Sequence, residues 1–365
     1  MSVLEDRYRS VLRLLPPSYR AVWEDEMVAT FLDGTRTDDA EEAEYRAYCG
    51  RPSRAEVASV AGLAVRLRLG GVEAPARSFA WGEAVRLVAL VGLLVHAVSA
   101  TMGVLQELWI AGWLAWPPVP DEVLALAESG PSTLWDIAWS LTALVWVAAY
   151  LALVSGHRRA AKVLAGLALA PAALAAIVST ANLAVGRPPM TSLMLTMWAD
   201  LLISALVVLA LAAFHGDAPP LRSRPWLVAY AVGLVLAPVP GLVFLLQPLR
   251  DLMLLDWPGV WSVALVAAGL VHLGGPAVGR VGRAPGWSLA LALLAAPVLA
   301  LRIVSLLDYA LSDAVGVYPV TMAIGAVETV AVIAVGVPLA VLAAQTVRGL
   351  PSAAPSPAAS QTPAP

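Results

Sequence analysis

Residues Ala84 to Leu105 read AVRLVALVGLLVHAVSATMGVL, and this stretch decides the fold. As a helix it reaches about 33 Å at about 1.5 Å per residue, enough to cross roughly 30 Å of hydrocarbon. Its only ionisable side chains are Arg86, near the start, and His96. It therefore reads as a spanning helix. Seven further apolar stretches of similar length follow: Leu134 to Val154, Val163 to Leu183, Leu193 to Phe214, Trp226 to Leu246, Trp257 to Val278, Trp287 to Leu307 and Pro319 to Ala344. The expected fold is all-α, a polytopic helical membrane protein with eight transmembrane helices and a small N-terminal cytoplasmic helical domain.

Composition agrees. Hydrophobic residues make up 59% of the 365 residues and charged residues 13%, against roughly 45–50% and about 25% in soluble domains. The chain divides into a cytoplasmic helical module at 1–83, an eight-helix transmembrane domain at 84–346 and a disordered cytoplasmic tail at 347–365. After Leu350 the tail holds only Pro, Ala, Ser, Gln and Thr, which cannot form a core. A net charge of −3 offers no basic excess for a polyanion, so no nucleic-acid partner is expected. The single cysteine, Cys49, excludes an intramolecular disulfide and reads as a small buried side chain. Met1 is followed by Glu5, Asp6, Arg7 and Arg9 rather than a short apolar core, so no signal peptide is expected and the first span would target the chain.

Orientation follows from the basic residues. Arg66, Arg68, Arg77 and Arg86 precede the first span, Arg158, Arg159 and Lys162 lie between spans two and three, Arg222 and Arg224 between four and five, Arg280 and Arg283 between six and seven. The opposite loops hold only Arg187 and Arg250, and the first of them carries Glu107, Asp121, Glu122 and Glu128. The positive-inside rule then places both termini in the cytoplasm, with the lipid bilayer as the protein's surroundings. Tryptophans such as Trp81, Trp109, Trp135, Trp226, Trp257 and Trp287 fall near span ends, where an amphipathic indole prefers the headgroup region. The start of the loop from Gln106 to Thr133, with Trp109, Trp113 and Trp116, is apolar but too short to span and reads as an interfacial segment.

Within 1–83, Tyr8, Val11, Leu12 and Leu15 mark one face of a first helix, which Pro16 and Pro17 end. Tyr19, Trp23, Met27 and Phe31 recur every four residues along a second. An acidic third helix runs from Asp39 to Tyr48. Ser53 and Glu56 form a capping box that opens a fourth, whose Val57, Val60, Ala64 and Leu67 face its neighbours.

Trp135, Trp139 and Ser140 recur as Trp257, Trp261 and Ser262; Ala170-Pro171 to Ser179 is similar to Ala296-Pro297 to Ser305; Pro189 and Thr191 are similar to Pro319 and Thr321. A 4+4 parallel repeat is one reading, since four spans return the chain to the same side. Chance likeness among Ala-, Leu- and Val-rich helices is the other.

Catalytic signatures are absent. The four histidines, His96, His157, His215 and His272, are far apart, and the only lysine, Lys162, is in no phosphate-binding loop. Glu24, Asp25 and Glu26 read as a solvated face. The expectation is a non-enzyme with no catalytic residue, cofactor or metal.

Arg7-Tyr8, Leu12 to Pro16, Ser18-Tyr19-Arg20, Glu24 to Met27 and Phe31-Leu32, continued by Glu44-Tyr45, Gly50 to Ser53 and Glu56 to Val60, carry a resemblance. This region resembles the N-terminal module of uncharacterised actinobacterial multi-pass membrane proteins. More distantly it is similar to the prefix domain of some ABC-type export permeases. The first resemblance implies an inner-membrane location and no known reaction; the second implies a permease subunit.

Two functional expectations follow. The leading one is a regulatory or partner-coupling membrane protein whose module contacts a cytoplasmic or membrane protein, with Tyr8, Tyr19, Trp23 and Phe31 as candidate anchors or as the module's own core. The alternative is a transporter or permease subunit for a small solute or ion. For the latter the sequence offers an intramembrane polar cluster, His96, Asp200, Arg302 and Glu328, at one depth in the outer half of the bilayer. Arg302 is expected to pair with Asp200 or Glu328, leaving His96 or the second carboxylate as a polar or protonatable site. A purely structural ion pair is the competing reading.

Overall fold

The computed structural model describes residues 2–35, 39–70, 74–114, 118–119, 140–186, 194–215, 220–239, 256–275, 285–311 and 319–351. Among these the regular structure is helical throughout. The chain forms two compact units: one of residues 1–85, 212–218 and 345–365, the other of 86–211 and 219–344.

The first unit opens with four helices, α1 (Val3–Leu12), α2 (Pro17–Gly34), α3 (Ala40–Cys49) and α4 (Arg54–Arg68). Ser2 caps α1 by accepting from the Glu5 N–H, and Pro17 starts α2, where its missing N–H costs nothing. The capping box at α4 is present in both directions: Glu56 N–H donates to Ser53 Oγ at 3.2 Å and Ser53 N–H to Glu56 Oε2 at 2.7 Å. Helix α1 is the hub, packing on α2, α3 and α4. Leu4, Tyr8, Leu12, Leu15, Val28, Phe31, Val60, Ala64 and Leu67 form the core. Arg7 donates to the carbonyls of Cys49 and Gly50 at 3.1 and 2.6 Å, fastening the end of α3 to α1. Arg9 joins Glu5, Glu24 and Asp25. Cys49 is exposed, not buried: it ends a polar helix whose attachment runs through its backbone carbonyl rather than its side chain.

Six helices of the described residues are long and apolar enough to cross a membrane. They are α5 (Ala76–Ile110), α7 (Arg158–Ala184), α8 (Met194–Ala210, continued by a 3-10 turn at Leu211–Ala213), α10 (Trp257–Gly274), α11 (Pro285–Leu311) and α12 (Pro319–Arg348). Two shorter apolar helices, α6 (Leu144–Val154) and α9 (Ser223–Leu236), lie where the second and fifth spans are expected. The remainder of those two spans, residues 134–139 and 240–246, lies outside the described residues, as do most of the loop 106–133, Trp135, Trp139, Pro189, Thr191, Arg187, Arg250, Arg280, Arg283 and nearly all of the tail. Helix α5 has no break at residue 83. It begins at Ala76 and continues five residues past Leu105, because a drop in hydropathy does not end a helix that meets no proline or cap.

Within the second unit α6 packs on α7, α7 on α8, α8 on α11 and α10 on α11. Leu265 of α10, Leu291 and Ala295 of α11, and Val332, Val335 and Leu339 of α12 close one apolar cluster. Other faces stay uncovered: Val163, Leu167, Leu174 and Ile177 on α7, and Val327, Val330, Val337 and Val341 on α12, are exposed. Apolar stripes of this size suit a lipid environment, and the chain is a multi-pass integral membrane protein in its architecture.

Candidate functional site

Helix α10 starts at Asp256-Trp257-Pro258-Gly259, an N-cap signature with proline just inside the first turn. Asp256 Oδ1 accepts from the Gly259 N–H at 2.8 Å. The same carboxylate receives Arg302 Nη1 from α11 at 2.6 Å to each oxygen, and the Tyr309 hydroxyl, two turns further along α11, at 2.9 Å. Arg302 Nη2 reaches Glu328 Oε2 on α12 at 2.9 Å. A guanidinium forks between two acceptors in this way because its donors diverge in one plane. Arg302 is 1% exposed, and Asp256 and Glu328 are buried beside it among three helices.

Two glycines make room for the cluster. A Cβ on Gly325, one turn before Glu328, would overlap Arg302 Nη2. A Cβ on Gly259 would sit 2.9 Å from Asp256 Oδ1 and 2.9 and 3.0 Å from the Glu328 oxygens. Beside them, buried Asp308 accepts from the N–H groups of Leu195 and Thr196 at 3.2 and 2.6 Å, satisfying the first turn of α8.

Of the four polar residues expected to share a site, Arg302 and Glu328 meet. Asp200 does not join them: it is exposed on α8 and forms no bond to Arg302 among the described residues. His96, on α5, stacks on Trp146 of α6 with ring centres 4.3 Å apart, and its Nε2 is 3.2 Å from Ser204 Oγ on α8. Shared depth does not bring two helix faces together. Asp256 and Tyr309 were missed by counting only charges inside apolar stretches, although the D-W-P-G start of the helix was legible.

The anchor candidates of the module also separate. Tyr8 and Phe31 stack face to face at 4.0 Å within the core. Burial, followed by the negative Glu56, raises the Tyr8 phenol above its ordinary value. Trp23 is exposed and lines a groove of about 400 Å³ together with Tyr8, Tyr19, Met27, Phe31, Glu26 and Glu56.

Chemically, the buried cluster can bind helices together or hold a small cationic species, and the groove can accept a side chain. Among the described residues no group of three His, Cys, Asp or Glu is placed to hold a metal ion. Comparison of the chain with protein-family models, curated proteins and solved structures gives no match.

Proposed function

We propose that this is a non-enzymatic regulatory or partner-coupling protein of the plasma membrane, with eight spans, both termini cytoplasmic, and its N-terminal module as the contact element. The observation that carries the reading is the groove at Trp23 and Tyr19. It is an aromatic-lined surface that opens onto the edge of the module's core, where Tyr8 and Phe31 line it together with Tyr19 and Trp23. An exposed tryptophan beside Met27 is the composition of an interface anchor. Glu26 and Glu56 in its lining suit a basic partner surface. The burial of Arg302 between carboxylates of two other helices favours a bundle held together by charge over one that conducts solute.

A photo-crosslinking residue at position 23 of the full-length protein, irradiated in native membranes, tests this. One defined adduct is expected from position 23, none from exposed position 13, and loss of the adduct with Glu26→Arg. No adduct from 23, or the same adducts from both positions, contradicts it. A transporter subunit is the second reading, favoured by the surplus carboxylate beside Arg302; solute or ion flux in vesicles that Glu328→Gln abolishes would establish it instead.

A further inference from the structure

We propose that the buried cluster is a proton-binding site: Glu328 takes up one exchangeable proton while Asp256 stays ionised against Arg302. The inference goes beyond the partner-coupling reading and does not depend on it.

Charge count comes first. Two carboxylates, Asp256 and Glu328, face one guanidinium. Among the described residues, the elements packed around them place no second cation at this point. On α11, Asp308 is held by the α8 backbone and Tyr309 donates to Asp256. On α8, Asp200 adds only another acid. On α10, His272 bonds to Ser288, sixteen residues from the cap, and on α12 Arg348 stands at the far end of the helix. With both acids ionised the cluster would hold an uncompensated negative charge in hydrocarbon, which a carboxyl group avoids by taking a proton.

The hydrogen bonds then choose which acid. Asp256 receives Arg302 on both oxygens, Tyr309 and the Gly259 N–H, a set of donors suited to an anion. Glu328 meets Arg302 Nη2 at 2.9 Å as an ion pair only, and its Oε2 accepts no hydrogen bond among the described residues. Its carboxyl lies against Gly259, where only a missing Cβ leaves room. It also lines an apolar groove of about 430 Å³ with Val320, Ala323, Ile324 and Val327. The step is simple: one O–H bond forms on a Glu328 oxygen, one proton leaves the medium, and no electrons move.

The test is dicyclohexylcarbodiimide labelling of the full-length protein in phosphatidylcholine vesicles between pH 6 and 9, mapped by peptide mass spectrometry. This apolar reagent modifies protonated carboxyls. Glu328 is expected to be labelled at pH 7 at least tenfold more than Asp256, with labelling falling as pH rises. Asp256→Asn matches one acid to one arginine and should reduce Glu328 labelling at least tenfold. An infrared spectrum of the unaltered protein provides a readout that needs no variant to fold: a protonated-carboxyl band at pH 7 that carbodiimide treatment removes. Absence of Glu328 labelling, preferential labelling of Asp256, or labelling unchanged by Asp256→Asn would overturn the proposal.

Discussion

Arg302→Met removes a cation that holds carboxylates from two other helices. Two routes give the size of the effect. Breaking a buried ion pair by deleting one partner costs about 3–5 kcal/mol, because the remaining charge is stranded. Counted instead as two charge-assisted hydrogen bonds, both to Asp256 at 2.6 Å, the loss is about 1.5–3 kcal/mol each, or roughly 3–6 together. The two estimates overlap near 4 kcal/mol, close to a thousandfold in the unfolding equilibrium. Methionine fills much of the arginine stem, so the loss reports charge more than volume. The triple change Arg302→Met, Asp256→Asn, Glu328→Gln should recover most of the stability, since a neutral set of similar size leaves no stranded charge. Unfolding in mixed micelles, followed by tryptophan fluorescence and fitted as two-state, measures both. A single variant within about 1 kcal/mol of the parent, or a triple variant no better than the single, would refute the reasoning.

Three further outcomes can be checked alongside. Gly325→Ala places a methyl where Arg302 Nη2 lies and should destabilise the second unit by about 1–3 kcal/mol in the same assay, whereas Gly166→Ala, with open space around its Cβ, should not. Ser53→Ala deletes half of the capping box and should cost the module about 1 kcal/mol, seen as faster amide exchange over residues 54–57. The Tyr8 phenol is raised in the folded module, so its contribution is fully present below about pH 10 and lost as pH rises through the folded value. Tyr8→Phe should therefore remove that part of the alkaline loss of stability, measured by circular dichroism.

Hydropathy and helix signals located much of this fold. Six of the expected spans coincide with long apolar helices, and the capping box at Ser53 and Glu56 follows from two side chains at fixed spacing. These are local features, set by residues near in sequence. The site was less legible because it depends on which helix faces which. Glu328 and Arg302 meet, yet Asp200, placed at a similar depth, is on an exposed face of α8. Asp256 sits one residue before an apolar run, so a reading that begins the span at Trp257 leaves it in the loop. The glycines that admit Arg302 and Glu328 carry no signal until the neighbouring helix is in place.

The cytoplasmic position of the N-terminal module is the claim on which partner coupling rests. Cys49 tests it without any substitution, being the sole cysteine of the chain and exposed on that module. A membrane-impermeant maleimide should leave Cys49 unlabelled in intact spheroplasts and label it fully in inside-out vesicles. Labelling from outside intact spheroplasts would place the module on the wrong face and contradict the account.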